Sequence, residues 1–287
     1  MRTILSFIYK TVIKILHGYG IGKFYPLRVT NAFLISFFKS SFAEVQGHKM
    51  FLDPKDTLNL SIYGVHEEFK TELVKKEISK GDVVLDIGAN IGYYTLIFAK
   101  LVGEEGKVFA FEPDPDNFAL LKKNIEINGY RNVILIPKAV SNETGKTKLY
   151  LCEDNKGDHR IYDSHDGRNS IEVGVIRLDD YSEGDNGKID FIKMDIQGAE
   201  GGAIQGMPLL LQKNKGLKII TEFWPIGLKR FGIDPEEYLK SLIGHGFKLY
   251  QINEQKKKIE PVNIAKLLEV YTPEEENFTD LLCVKEK

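Results

Sequence analysis

The chain has 287 residues and a formal net charge of −2, with 43% hydrophobic and 28% charged residues. This is ordinary for a soluble globular protein, and it argues against bulk affinity for nucleic acid. The two cysteines, Cys152 and Cys283, have neither disulfide-framework nor metal-pair spacing, so they read as buried thiols in a reducing, cytoplasmic compartment.

Residues 1–17, MRTILSFIYKTVIKILH, are apolar but interrupted by Lys10 and Lys14. A signal peptide needs an unbroken apolar core, and a membrane-spanning helix needs about twenty apolar residues. Ile4, Ile8, Val12 and Ile15 recur at helical spacing, which predicts an amphipathic helix. Such a helix packs against the domain, joins a second subunit in a homodimer, or lies peripherally at a membrane surface. The expected organisation is a helical extension over 1–45 and one α/β domain over 46–287.

Residues 45–52 read as one short strand, and Asp56–Tyr63 and Glu67–Ile78 as helices. A regular alternation follows. Strands are predicted at Val83–Ile87, Val108–Glu112, Val133–Pro137, Asp190–Asp195, Leu217–Phe223 and Phe247–Ile252. Helices are predicted at Tyr93–Val102, Pro115–Asn128, Ala199–Gln212 and Pro235–Gly244. Lys146–Cys152 and Glu172–Leu178 read as a paired insertion, residues 253–278 as a charged loop, and Asp280–Lys285 as a last strand inserted antiparallel. Strands alternating with helices give a doubly wound, mostly parallel Rossmann-like sheet.

Ligands of such sheets bind beyond the carboxyl ends of the strands, where strand order reverses. The first junction reads Asp86-Ile87-Gly88-Ala89-Asn90-Ile91-Gly92-Tyr93. A dinucleotide fingerprint wants glycine at its third and sixth positions, where Asn90 and Tyr93 stand here. A pyrophosphate would also lie close to the Asp86 carboxylate. S-adenosylmethionine carries a sulfonium and an ammonium and no phosphate, so Asp86 favours it, with Gly88 and Gly92 permitting close backbone approach. The second strand ends at Glu112-Pro113, and an acidic side chain there is placed to accept both ribose hydroxyls. The third strand leads to Ala139, a small residue suited to flank adenine. The predicted cofactor set is Asp86, Gly88, Ala89, Asn90, Gly92, Tyr93, Glu112, Pro113 and Ala139.

The segments GDVVLDIGANIGYYT, VFAFEPDPDNF, KAVSNETGKTKLYL, NKGDHRIYD, DFIKMDIQGAE and IITEFWP together resemble the FkbM-like family of S-adenosylmethionine-dependent class I methyltransferases. The resemblance runs from about residue 45 to the end. It implies a seven-stranded sheet with an antiparallel last strand, and methylation, mostly at oxygen, of sugars, polyketide-derived products or other small molecules. It leaves an N-methyltransferase open, and a non-catalytic Rossmann-like module remains the alternative of another class. The family's D-x-E-G-x-E element stands here as Asp195-Ile196-Gln197-Gly198-Ala199-Glu200, with glutamine in place of a frequent glutamate. The element VYE stands as Val65-His66-Glu67, which puts Glu67 near the site.

Transfer to a hydroxyl needs alignment and a base. Asp195, ending the fourth strand, is the first candidate, and Glu222, ending the fifth, is the second. A helix cap is the competing role for Asp195. The resemblance of GDHR adds His159 as an alternative base and Arg160 as an acceptor or loop anchor. Both lie in the polar segment Glu153–Ser170, which has the length of a lid. Trp224 either stacks on a sugar ring or fills the cleft wall. Glu67 and Glu200 complete the acceptor-side set. No residue set has clear metal-ligand spacing.

Overall fold

The computed structural model describes residues 40–181 and 187–285. These residues fall into two compact units divided between His66 and Glu67. The expected helical extension lies outside the described residues over 1–39.

In the first unit, β1 (Phe42–Val45) and β2 (His48–Phe51) form an antiparallel hairpin. Its turn residues, Gln46 and Gly47, have φ of 52° and 78°. Two left-handed residues are what a tight two-residue hairpin turn requires. The single strand expected over 45–52 is therefore two strands with the turn between them. Helix α1 keeps just Leu60–Tyr63, because Asn59 takes a left-handed φ of 53° and Asp56 spends its carboxylate on the amides of Leu60 and Ser61.

The second unit opens with α2 (Glu68–Glu77). The alternation then runs β3 (Val83–Ile87), α3 (Tyr93–Val102), β4 (Lys107–Phe111), α4 (Pro115–Asn128) and β5 (Val133–Ile136). Next come β6 (Lys138–Val140), β7 (Gly145–Tyr150) and β8 (Ser170–Ile176), which make a separate three-stranded sheet. The expected pairing of the inserted strands holds, with Gly145 opposite Val175 and Tyr150 opposite Ser170.

The chain continues through β9 (Phe191–Met194), α5 (Glu200–Gln205), α6 (Pro208–Lys213), β10 (Lys218–Phe223), α7 (Pro225–Phe231) and α8 (Pro235–Gly244). It ends with β11 (Phe247–Asn253), β12 (Lys258–Pro261), α9 (Ile264–Val270) and β13 (Thr279–Lys285). The main sheet runs β12-β11-β13-β10-β9-β3-β4-β5. β13 is antiparallel to both neighbours, as expected. The sheet has eight strands among the described residues rather than seven, because β12 pairs back on β11 at the edge. The predicted loop over 253–278 thus contains a strand and a helix. The predicted helix over 199–212 breaks at Gly206–Met207, where Pro208 starts a new one.

Strand order reverses between β3 and β9, so the crevice opens at their carboxyl ends. The two faces differ in character. Leu85, Ile87, Ile192, Met194, Ile219, Phe223, Leu281 and Cys283 line one face and join Tyr238, Leu239 and Leu242 of α8 in the main core. On the other face, Phe98 of α3 packs edge-on to Phe191 at 6.0 Å between ring centroids. No helix among the described residues is long and apolar enough to cross a membrane.

Candidate active site

The second face turns polar at its carboxyl end. Register places Asp86 opposite Lys193, Lys193 opposite Ile220, and Glu222 opposite Asp280. Alternate residues of a strand share a face. One ionisable side chain from each of β3, β9, β10 and β13 therefore stands in a row across four adjacent strands.

Asp86 is wholly buried, and its Oδ2 accepts from Thr95 Oγ1 of α3 at 2.5 Å. Burial raises its pKa, while Lys193 and the Thr95 hydroxyl pull it back. The Lys193 ammonium stands 3.9 Å from Asp86 Oδ1 and 4.0 Å from Asp195 Oδ2, and donates to the Gly88 carbonyl at 3.1 Å. No role for Lys193 follows from the sequence, although it lies inside DFIKMD. The signal was available: a lysine in an otherwise apolar core strand needs a partner.

Gly88 has φ of 78°, and a Cβ there would run into the Asp195 carbonyl. The glycine turn, Lys193 and Asp195 are thereby one packed unit. Asn90 follows with φ of 51°, its own Oδ1 accepting from the Ile91 amide at 2.7 Å. Tyr93 points its hydroxyl to Thr71 of α2 at 3.0 Å and is buried. Ala89 and Ala139 are buried.

Glu112 joins two loops. Its Oε2 accepts from the Asn90 amide at 2.8 Å and its Oε1 from the Asp114 amide at 2.9 Å. Burial pushes its pKa up to about 7 against the pull of those two amides. The cap of α4 is Asp114, whose Oδ1 accepts from the Asn117 amide, so Glu112 is not the capping residue.

Asp195 lies just beyond β9, its side chain 27% exposed. Its Oδ1 accepts from Gln197 Nε2 at 2.8 Å, and α5 receives no side-chain cap from it. Gln197, which replaces the frequent glutamate, thus donates to Asp195 where a carboxylate would repel it. Gln197 itself is held at φ of 55°, with its carbonyl accepting from Tyr162 Oη.

Glu200 is fully buried. Its Oε1 accepts from the Ile196 amide at 2.8 Å, and burial raises its pKa to about 8. Glu222 is also buried, and burial together with the charges of Asp195, Glu200 and Asp280 holds its carboxyl well above the usual range. Lys70 of α2 is 2.6 Å from Glu67 and 2.9 Å from Asp280. Burial opposes its charge, yet Asp280 and Glu67 keep its pKa well above that of an ordinary lysine. Glu67 also accepts from Tyr94 Oη at 3.0 Å.

The segment expected to be a lid runs along this end of the unit. The Lys156 carbonyl accepts from Asn117 Nδ2 at 2.9 Å and from Asn90 Nδ2 at 3.4 Å. His159 Nδ1 accepts from the Cys152 amide at 3.0 Å, and Nε2 stands 3.8 Å from Asp114 Oδ2. Burial lowers the His159 pKa, and the charges that act on it are Asp114, Lys156, Arg168 and Asp158. His159 therefore sits beside Asp114, just past the tip of the second strand. The Arg160 guanidinium lies 4.8 Å from the centroid of the Trp224 ring and pairs with Asp158 at 2.8 Å. Trp224 is 6% exposed, with the Arg160 guanidinium over its ring and Gly227 packed against it.

These residues fit S-adenosylmethionine on three observations. The Gly88 turn offers backbone without a side chain, Asp86 Oδ1 is a buried oxygen without a hydrogen bond, and Glu112 supplies an acidic group at the second strand. The ligand's cations and hydroxyls match that donor set.

Residues 86–249 match the family described as the Methyltransferase FkbM domain. The chain is similar to the hexuronic acid methyltransferase AglP of Haloferax volcanii, with 29% identity over 178 residues, 61% of this chain and 67% of that protein. It is also similar to the 2-O-methyltransferase NoeI of Sinorhizobium fredii, with 31% identity over 178 residues, 55% of this chain and 68% of that protein. A protein-L-isoaspartate O-methyltransferase of Methanococcoides burtonii matches over just 60 residues, 30% of its own length. Among solved structures it is similar to a methyltransferase FkbM from Methylobacillus flagellatus, at 15% identity and TM-score 0.43, covering 79% of this chain and 52% of that one. The chain belongs to the FkbM methyltransferase family, and its methyl donor is S-adenosylmethionine.

Proposed function

We propose that this chain methylates a hydroxyl of a sugar-like acceptor. The names of AglP and NoeI support a sugar and an oxygen acceptor. The observation that carries the reading is Asp195, a partly exposed carboxylate packed against the glycine turn and held by Gln197.

When bound, S-adenosylmethionine supplies a methyl group on a sulfonium, already activated for displacement. Asp86, Gly88, Ala89, Asn90 and Gly92 would hold its methionine end. Glu112 and Pro113 would hold the ribose, with Ala139 beside adenine. Asp195 takes the acceptor's hydroxyl proton on Oδ2, the oxygen that Gln197 leaves open. Lys193 faces that oxygen and orients the carboxylate. Glu222, whose carboxyl burial and the neighbouring Asp195, Glu200 and Asp280 charges hold well above the usual range, would stand beside Asp195 and hydrogen-bond the acceptor. Glu200 fixes the loop between Asp195 and α5, while Glu67 and Lys70 back the site from α2. Arg160 and Trp224 form the acceptor-side wall. His159 serves the donor side, because its free electron pair is committed to the Cys152 amide. The segment before β1 is the proposed attachment to a membrane surface or second subunit, supported by the helical spacing of Ile4, Ile8, Val12 and Ile15 alone; Phe42–Val45, expected within that extension, is a hairpin strand.

Asp195→Asn tests the reading. Turnover should fall about 10²- to 10⁴-fold, while the Kd for S-adenosylhomocysteine, measured by calorimetry, stays within about threefold. Unchanged turnover would remove Asp195 from the transfer step.

A further inference from the structure

The charges around the crevice are unequal. Each cation described there already faces a carboxylate. Lys70 lies 2.6 Å from Glu67, Lys193 3.9 Å from Asp86, and Lys156 2.6 Å from Asp116. Arg160 and Arg168 both pair with Asp158, at 2.8 and 2.7 Å. The carboxyl groups are in excess. Glu222 Oε2 and Glu200 Oε2 are buried and make no hydrogen bond to any described residue. Glu222 stands directly opposite Asp280 on the next strand, one position beyond the pair formed by Thr221 and Met194. Asp195 follows Met194 directly, so the orphaned Glu222 oxygen lies at the strand ends beside Asp195.

We infer that the acceptor is an uncharged polyol, a neutral sugar, and that a sugar carrying a carboxylate is discriminated against. This rests on the sugar reading above. A hydroxyl both donates and accepts, so it satisfies the orphaned Glu222 oxygen in either protonation state. A sugar carboxylate meets the opposite situation. Among the described residues at the crevice it finds no cation without a carboxylate partner, and it sits near Asp195 with part of the water removed. At about 5 Å and an effective dielectric of about 20, one like charge lowers affinity on the order of a hundredfold. The chain is thereby separated from AglP, whose name gives a hexuronic acid as the acceptor.

The test uses the wild-type full chain, so no variant has to fold. Methyl glycosides of the gluco, galacto and manno series are each prepared as the neutral hexose, the uronic acid and the uronamide. The uronamide keeps the shape of the acid and removes its charge. Turnover is followed as release of S-adenosylhomocysteine, and binding to the S-adenosylhomocysteine complex by calorimetry. The neutral hexose and uronamide of the preferred series should exceed the acid at least tenfold in kcat/KM and in affinity. An acid used as well as its amide, or better, overturns this inference and leaves sugar methylation standing. Absence of turnover with every sugar overturns both, and continued binding of S-adenosylhomocysteine would then show that the donor site itself is intact.

Discussion

Replacing Glu112 with Gln isolates a proton that should govern donor binding. The Glu112 carboxyl is buried between the Asn90 and Asp114 amides, and its pKa rises from 4.5 to about 7. It is mostly neutral at pH 6 and mostly ionised at pH 8. Two ribose hydroxyls need an acceptor, so donor binding at pH 6 must first ionise the group, at about 1.4 kcal/mol per pH unit below the pKa. The wild-type Kd for S-adenosylhomocysteine should be about tenfold weaker at pH 6 than at pH 8, with release of close to one proton. Calorimetry in buffers of differing ionisation enthalpy measures both quantities. The same shift acts oppositely on stability. The folded state holds this proton between pH 4.5 and about 7, so its contribution is full below pH 4.5 and fades as pH rises through 7. The loss is about 3 kcal/mol. Glu112→Gln should flatten the affinity profile and weaken binding at pH 8 by about 1–3 kcal/mol. A flat wild-type profile, or a variant that keeps the slope, would refute the reasoning.

Gly88→Ala should lower the unfolding free energy, measured by urea titration, by on the order of 2 kcal/mol or more, since it adds a left-handed penalty to a collision with the Asp195 carbonyl. Lys193→Met leaves the Asp86 carboxylate buried beside Thr95 alone, which should cost about 3–5 kcal/mol in urea unfolding and weaken donor binding; a stability loss below 1 kcal/mol would deny the pairing. His159→Gln, whose amide oxygen can still accept from Cys152, should change kcat far less than the ~10²-fold expected of a lost base.

The strand–helix alternation and the reversed last strand were legible because a parallel core strand is a short apolar run, and the chain repeats that signal at regular intervals. The turns that follow β3 and β4 were legible for the same reason: their residues follow directly from strand ends. Four kinds of feature were not. Gln46–Gly47 carries a weaker turn signal than Asn-Gly, so a hairpin read as one strand. β12 and α9 sit in a charged stretch whose pattern looks solvated, and pairing with β11 decides the structure there. Lys193, Lys70 and Asp280 became site residues through register and packing across distant strands, which no local spacing reveals. Gln197 read as a lost carboxylate, and its amide turned out to hold Asp195.

The position of β13 has a consequence for how the chain folds. Its partners β10 and β11 flank it on both sides, so a nascent chain lacking it exposes two strand edges in the middle of the sheet. The same strand carries Asp280, which meets Lys70 across 210 residues of sequence. Insertion of this one strand therefore closes the sheet and gives the Lys70 ammonium its second carboxylate, beside Glu67, in a single late event. Contacts of that sequence separation form slowly. A ribosome-stalled chain ending before Thr279 should remain open to proteases along β10 and β11, and binding competence should emerge together with protection once β13 has docked.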